Sequence, residues 1–338
     1  MAFQPDYQFD SLTDAWTFLS DQQGRRPVEC LWVETPSGVA VPQEVLRYLF
    51  RGECGGFETT LSSIHRPETF ALRDGRRLSA LDLTTLIQLV PVLARRFVDC
   101  EDYSLDESHA YSLLQHYGLP TTIVDFTGHL GHAFAFAASG KATIGRVAVL
   151  QYSEASKFAR VVDFTGHPWA ERAQRQKAFG VVPTDELIDL KSEAARSCLG
   201  LRWYQFPVSP SDHNYLSGKC QELMRWIDDP SAGFLRFHIT EFVEAYGKFS
   251  PELTDWLLER VPVAPYCYVV RSFEEKDAVV NFRSAKDLKA FDENAEREHS
   301  RRYWSSDHPE CCSWAAMKKR LCPAVGEIAY DPRTYHVD

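Results

Sequence analysis

The 338-residue chain lacks several features, and each absence excludes a class of protein. No apolar run approaches the roughly 18 residues that a membrane-spanning helix needs. The first residues, MAFQPDYQFDSLTD, have neither the basic nor the apolar region of a secretory signal. Neither Gly-x-Gly-x-x-Gly nor a glycine-rich loop ending in Gly-Lys-Ser/Thr is present, so the two common phosphate loops are missing. We therefore expect a cytoplasmic protein with no membrane partner.

The chain also lacks a net positive charge: 47 acidic residues outnumber 37 basic ones, and the formal net charge is −10. This charge argues against a protein that coats nucleic acid by bulk electrostatics, but it does not exclude a local basic site. The nine cysteines are odd in number and scattered along the chain. Without a secretory signal, this pattern indicates reduced thiols and no disulfide framework.

Hydrophobic periodicity predicts alternating helices and strands over the first half of the chain. Helices are predicted at residues 8–20, 78–100, 104–118 and 129–139, and strands at 30–34, 44–52, 121–126 and 145–152. Thr127 or Gly128 is the expected start of the fourth helix, and Gly118 the stop of the third. Residues 53–77 lack periodicity and predict a long exposed loop.

The second half is predicted from the same signals. A short basic helix is expected at 167–182, strands at 201–209 and 265–273, and helices within 211–261, while residues from 287 onward are polar without strong periodicity. The alternation favours an α+β fold with a mixed α/β core sheet and a helical C-terminal extension. We expect an N-terminal helix and strand at 1–40, a core domain at 41–190, and an extension of the same globule at 191–338.

The stretch RYLFRGECGGF predicts a ligand site. Arg51 is expected at the end of a strand, followed by Gly52, Gly55 and Gly56, which let the backbone bend closely around a ligand. A guanidinium beside free backbone N–H groups suits a phosphate or a carboxylate. The alternative is an ordinary salt bridge, with Asp125 as the partner that locks two strands together.

Two segments carry a resemblance to a known family. YLFRGE and LLQHYGLPTTIVDFTGHLGHAFAFA resemble the two motifs of the FRG domain family, (F/Y)-R-G and Q-H-x-G-L-P-T-R-L-L-D-W-T. A looser third element of that family is matched by Arg172 and Gln176 in RAQRQKAFG, so the resemblance covers about residues 44–182. Two positions depart from the family pattern. Thr122 replaces an arginine, which removes one anion contact, and Phe126 replaces a tryptophan.

The order of these motifs is also similar in plan to ADP-ribosyltransferases of the Arg-Ser-Glu type. That similarity implies an ADP-ribosyltransferase-like core and NAD as the substrate. It further implies that Arg51 holds the phosphates or ribose and that Thr127 supplies the bracing hydroxyl. The glutamate of that type has no counterpart at a motif position. Asp125 is the nearest acid, and Gln176 can hydrogen-bond a ribose hydroxyl without carrying charge.

The chemistry explains why these residue types would be needed. Cleavage of NAD passes through an electron-poor ribosyl carbon, which a nearby carboxylate stabilises. Asp125, Glu53 or a polarising His116 are the candidates for that role. The candidate catalytic residues are Arg51, His116, Asp125, Thr127 and Gln176, and the candidate NAD-binding residues are Arg51, Gly52, Gln115, Thr127 and Arg172.

Each candidate also has a structural alternative. His116 ends a helix, where histidine often bonds the last carbonyls. Asp125 and Thr127 are both types that cap helices. Arg172 and Gln176, four apart, suit a solvated basic face. His129 and His132 are spaced for a metal, but without an acidic partner in the motif we expect none.

Three functions therefore stay open from the sequence. The first is an ADP-ribosyltransferase-like or NAD-cleaving enzyme whose acceptor is a protein, a nucleic-acid base or water. The second is a non-catalytic sensor that binds a nucleotide or another phosphate ligand in the same place. The third is a protein-interaction module built on the FRG fold, with the aromatic C-terminal half meeting the partner.

Overall fold

The structure is a computed structural model. It describes residues 3–25, 28–34, 40–99, 107–140, 142–165, 170–184, 187–224, 249–260, 267–271 and 277–281, and isolated helical positions between 232 and 242. The chain divides into two compact units, each assembled from separate stretches. The sheet unit comprises Met1–Thr69, Pro120–Gly166 and Arg172–Arg225, and the helical unit comprises Phe70–Leu119, His167–Glu171 and Trp226–Asp338.

A seven-stranded sheet forms the centre of the sheet unit. Its strands are β1 (Tyr7–Gln8), β4 (Tyr48–Cys54), β5 (Val124–Thr127), β6 (Ile144–Gln151), β7 (Ala159–Asp163), β8 (Ala178–Pro183) and β9 (Leu201–Pro207). They lie in the order β1-β9-β6-β4-β5-β8-β7. Strands β1 and β9 are parallel, and the other neighbours are antiparallel. The strands β2 (Val28–Glu34) and β3 (Ala40–Leu46) form a separate antiparallel pair.

Short helices surround this sheet. They are α1 (Leu12–Arg25), α4 (Leu130–Ala137), α5 (Tyr152–Ala155), α6 (Glu171–Gln176), α7 (Glu193–Cys198) and α8 (Pro210–Leu223). Because both faces of the sheet are covered, the inner strand β6 is buried at six successive residues, which include the apolar run Val147–Leu150 and one charged residue, Arg146. One face packs Leu49, Leu150 and Trp203. The other packs Phe50 and the residues of α4.

The sheet opens between two of its central strands. Strand β4 pairs with β6 at seven positions, from Tyr48 to Cys54. It pairs with β5 at one position, where Phe50 lies opposite Thr127. Strand β5 then pairs with β8 over its whole length. Arg51, the residue that follows the single paired position, therefore lies where β4 and β5 separate.

The helical unit contains α2 (Ala80–Val98), α3 (Glu107–His116) and α9 (Pro251–Arg260). Helix α2 begins with a capping box between Ser79 and Asp82. Helix α3 ends at His116, and Gly118, two residues later, has a φ of +88°, which glycine adopts without strain. The strands β10 (Cys267–Arg271) and β11 (Asp277–Asn281) form an antiparallel pair. No helix in the described part of the chain has both the length and the apolar character to cross a membrane.

The sequence-based elements are confirmed in kind, with three corrections. The strand predicted at 44–52 is part of two strands, β3 and β4. The helix predicted at 167–182 is short, because Lys177 turns the chain with a φ of +48° and the apolar residues after it form β8. Helix α4 starts after His129, which makes no side-chain cap bond, and not at Thr127 or Gly128.

Two further predictions concern less regular parts of the chain. The loop expected to be exposed at 53–77 contains two turns of 3₁₀ helix, at Ser63–His65 and Pro67–Phe70, and buries Thr60 and Ser62. The polar region predicted from residue 287 onward lies outside the described residues. A mixed α/β protein with a large sheet is thus observed, as expected.

Candidate functional site

Arg51 lies within β4 and not at its end, which corrects the expectation from the sequence. Side chains alternate along a strand, so Leu49, Arg51 and Glu53 leave the sheet on one face, and Phe50 and Gly52 on the other. Gly52 lies against α4, where an added Cβ would come 1.9 Å from the carbonyl oxygen of Ala133. Gly52 is therefore required for packing of α4 and not for bending the backbone around a ligand.

Glu53 is the centre of a buried charge cluster on the Arg51 face. Its Oε1 accepts hydrogen bonds from Arg51 Nε at 3.2 Å and Thr60 Oγ1 at 2.7 Å. Its Oε2 accepts one from Lys191 Nζ at 2.7 Å. Burial alone would raise the pKa of Glu53, but the charges of Arg51 and Lys191 and these bonds outweigh it and hold the pKa below the usual value. Glu53 is thus an ionised anchor that orients Arg51.

The Arg51 guanidinium keeps part of its donor capacity. Besides the bond to Glu53, its Nη1 donates to the backbone carbonyl oxygen of Asp125 at 2.7 Å, across the opening between β4 and β5. The predicted salt bridge to the Asp125 carboxylate is wrong, since the ion-pair partner is Glu53. A guanidinium has five N–H donors. Three of them make no hydrogen bond to a described residue, and the side chain is 18% exposed.

Two further cations support this region, and the sequence analysis missed both. Lys191 Nζ and Arg146 Nη1 each donate to the carbonyl oxygen of Phe57, at 2.6 Å. The ring of Phe3 lies 5.1 Å from Lys191 Nζ and 5.0 Å from the Arg146 guanidinium carbon. These contacts fix the segment that follows β4. No local pattern marks either cation, because each meets this segment only through the folded sheet.

Thr127 lies on the opposite face of the sheet from Arg51. It pairs with Phe50, the neighbour of Arg51, and so shares the face of Phe50. Its Oγ1 donates to the carbonyl oxygen of Gln176 at 2.6 Å and accepts from the His129 backbone N–H at 3.1 Å. The structure therefore does not bring the Thr127 hydroxyl to the face that carries the Arg51 guanidinium. Instead, the hydrogen bonds of the Thr127 hydroxyl join β5 to the end of α6 and to the start of α4.

Gln176 and Arg172 are buried, which excludes the solvated basic face as their role. Gln176 Nε2 donates to the carbonyl oxygen of Leu223 at 2.7 Å, and Arg172 Nη2 lies 3.3 Å from Met224 Sδ. Both side chains therefore contact the C-terminal end of α8. Thr127 bonds the backbone of Gln176, and neither Arg172 nor Gln176 is a hydrogen-bond partner of Arg51 among the described residues.

Gln115 and His116 belong to the helical unit. They are the last two residues of α3, and both are buried. Asp125 belongs to the sheet unit, where its backbone meets Arg51 as described. The sequence predicted one site from all of these residues. The sheet unit brings the Arg51 guanidinium to the backbone of Asp125, and it places Thr127, Arg172 and Gln176 elsewhere.

Replacement of Thr127 by valine tests its structural role. Valine keeps the shape and removes the hydroxyl, which leaves the Gln176 carbonyl and the His129 N–H each short of one bond. We expect the free energy of unfolding to fall by about 1–3 kcal/mol. Urea denaturation monitored by circular dichroism measures this free energy of unfolding. Thr127→Ser should keep most of the stability. An unchanged denaturation midpoint in Thr127→Val would contradict the assignment.

Metal chemistry has no candidate ligand set in the residues that the structure describes. No three histidine, cysteine, aspartate or glutamate side chains lie close enough together there to hold an ion. The rings of His129 and His132 have centroids 4.3 Å apart and are tilted by 33° relative to each other. His132 Nδ1 lies 3.1 Å from the carbonyl oxygen of Gln176, so this ring nitrogen is engaged by the backbone.

Comparisons of the chain with protein-family models, with curated proteins and with solved structures gave no match. The FRG resemblance and the similarity in plan to ADP-ribosyltransferases therefore stay predictions from the motifs.

Proposed function

We propose that the protein is an ADP-ribosyltransferase-like or NAD-cleaving enzyme in which Arg51 holds the pyrophosphate of NAD. One observation carries the proposal. The sheet separates between β4 and β5 next to an arginine that keeps three N–H donors and partial exposure. A guanidinium that is held in a fixed orientation at this opening suits the bidentate recognition of phosphate oxygens.

The orientation of Arg51 supports binding. Its Nε and Nη1 are held by the ionised Glu53 and by the Asp125 carbonyl oxygen, so the guanidinium is positioned before any ligand arrives. Glu53 is itself held by Lys191 and Thr60. A preorganised side chain loses less conformational entropy on binding than a mobile one. The cluster thus favours a ligand anion at the remaining edge of Arg51.

The reaction needs an electron-poor ribosyl carbon to be stabilised. The C–N bond to nicotinamide breaks, both of its electrons leave with the nicotinamide ring, and the ring loses its positive charge. A nucleophilic oxygen or nitrogen of the acceptor, or of water, then bonds to the ribosyl carbon and loses a proton. The backbone of Asp125 contacts Arg51, and the Asp125 carboxylate is the candidate group for stabilising the developing cation. Glu53 is unsuited to that role, since both its oxygens are engaged.

Release of free nicotinamide from NAD tests the proposal. The wild type should release it, and Arg51→Ala should release it about 100-fold more slowly, because two charge-assisted contacts to phosphate are lost. Arg202→Gln is the matched control, since Arg202 lies in the same sheet, is exposed and, among the described residues, its side chain bonds Asp6 alone, at 3.5 Å. Chromatography of the reaction measures nicotinamide directly. Wild-type release by folded Arg51→Ala would contradict the role of Arg51.

A second candidate is a sensor that binds the nucleotide without turnover. The observation in its favour is that the carboxylate nearest to Arg51, Glu53, is locked in ion pairs. The sensor predicts ligand-dependent stabilisation that requires Arg51 and no release of nicotinamide. The enzyme predicts both stabilisation and release, so the same protein samples distinguish the two.

A further inference from the structure

A second arginine lies near Arg51. The short turn Ser63–His65 is tied to the chain just before β5, because the Ile64 N–H donates to the Thr121 carbonyl oxygen at 3.2 Å. The Ser63 hydroxyl bonds the same residue twice, donating to its carbonyl oxygen at 3.3 Å and accepting from its N–H at 3.0 Å. Arg66 follows this turn directly. It is thereby held beside the start of β5, the strand whose Asp125 contacts Arg51.

The electrostatic surroundings of Arg66 include the charges of the Arg51 cluster. Its guanidinium feels the positive charge of Arg51 and the negative charges of Asp125, Glu68 and Glu53. Burial and, after it, repulsion by Arg51 lower the pKa of Arg66 from the ordinary value. Two half-buried cations thus lie close enough together to repel each other.

Arg66 differs from the other cations of this region in having no bonded partner. Arg51, Arg146 and Lys191 each donate to a carbonyl oxygen or a carboxylate. The Arg66 side chain makes no hydrogen bond or ion pair with any residue in the described ranges, and its Nε is buried. A buried donor without a partner costs free energy, and so does a second positive charge beside Arg51. A ligand anion between the two arginines would offset both costs.

From this geometry we infer that Arg66 is a second anion-binding residue, and that Arg51 and Arg66 together clamp the pyrophosphate of the ligand. The inference rests on the proposed function for the identity of that ligand and names the part of it that is recognised. Two guanidinium groups that bind the same ligand suit one with several phosphate oxygens better than a single carboxylate. The expected ligand class is therefore a pyrophosphate-bearing nucleotide.

Titration with inorganic pyrophosphate, followed by calorimetry, tests the clamp. We expect Arg66→Gln to weaken the binding of pyrophosphate about 10- to 100-fold, the loss expected for charge-assisted bonds to phosphate. Arg66→Lys keeps the positive charge but loses the planar guanidinium, so its affinity for pyrophosphate should lie between those of the wild type and Arg66→Gln. Arg202→Gln should bind as the wild type does. The thermal midpoint of Arg66→Gln without ligand should be unchanged or higher, because a repelling charge is removed. An arginine with only a structural role would instead lower the midpoint when it is replaced.

The outcomes separate this inference from the proposed function. Pyrophosphate binding that is unchanged in Arg66→Gln, or absent in the wild type, overturns the clamp. Dependence on both arginines with no nicotinamide release from NAD supports the clamp and contradicts the enzyme. Nicotinamide release that needs Arg51 but not Arg66 supports the enzyme and overturns the clamp.

Discussion

Gly52→Ala is expected to lower the free energy of unfolding by about 3 kcal/mol or more, and thus to leave much of the protein unfolded. The added methyl group would lie 1.9 Å from the carbonyl oxygen of Ala133 and 2.7 Å from the backbone nitrogen of Ala137. Both atoms are backbone, so no side chain can move aside. Relief requires that α4 move away from β4, which opens the packing of Phe50 and Phe134 in the core.

Two other glycines provide matched controls for this prediction. Gly218 lies within α8 and has no atom within 4 Å of an added Cβ, so Gly218→Ala should raise stability by about 0.5–1 kcal/mol through helix propensity. Gly56 follows the same strand as Gly52, and its added Cβ would meet only Arg146 Nη2 at 4.0 Å. Urea denaturation of the three variants measures the difference. A Gly52→Ala protein as stable as Gly56→Ala would contradict the packing of α4 on β4.

Glu53→Gln is expected to lower the free energy of unfolding by about 3–5 kcal/mol. The substitution keeps the size of the side chain but removes its charge. Lys191, whose side chain is 1% exposed, would then keep a buried charge without an ionic partner. Arg51 would lose its ion pair as well. The double variant Glu53→Gln with Lys191→Met removes both charges, so it should recover part of the loss.

The pH dependence of stability gives an independent measurement of Glu53. Its pKa in the folded protein lies below the ordinary value of 4.5. A carboxyl group with a depressed pKa contributes stability that is fully present above the unfolded pKa and is lost as the pH falls through the folded pKa. The wild type should therefore lose stability below about pH 5, and Glu53→Gln should lose less over the same range. An equal loss of unfolding free energy in the two proteins as the pH falls below about 5 would contradict an ionised Glu53.

Much of the fold was predictable from local pattern. The apolar residues of 78–100, predicted as a helix, and those of 145–152, predicted as a strand, gave elements that the structure confirms. The capping box of α2 marks its start in the sequence itself. Strand order was not predictable, because β4 lies between β5 and β6 through contacts far apart in the chain. The two units are likewise assembled from separate stretches, which periodicity along the chain does not reveal.

The candidate site was predictable only in part. Arg51 was identified from its motif, but its ion-pair partner is Glu53, two residues away on the same strand face, and not Asp125. The alternation of side chains in β4 would have indicated this pairing once the strand was known to continue past Arg51. The role expected for Gly52 was wrong because the approach of α4 depends on tertiary packing.

Arg66 is the residue that the motifs did not reveal. The sequence led us to expect one anion contact fewer, because Thr122 replaces an arginine. Arg66 follows a turn that is bonded to the adjacent Thr121, and this proximity comes from tertiary hydrogen bonds. In the sequence, Arg66 lies in a segment without periodicity, where nothing distinguishes it from Arg73, Arg76 or Arg77.

The central claim, that NAD binds at Arg51, is tested most directly by thermal unfolding with and without NAD, for the wild type and Arg51→Ala. A ligand at 100 times its dissociation constant stabilises the native state by about 2.7 kcal/mol. For a chain of this size the midpoint should rise by several degrees. We predict that rise in the wild type and its absence in Arg51→Ala. No rise in the wild type, or an equal rise in both proteins, would contradict the account.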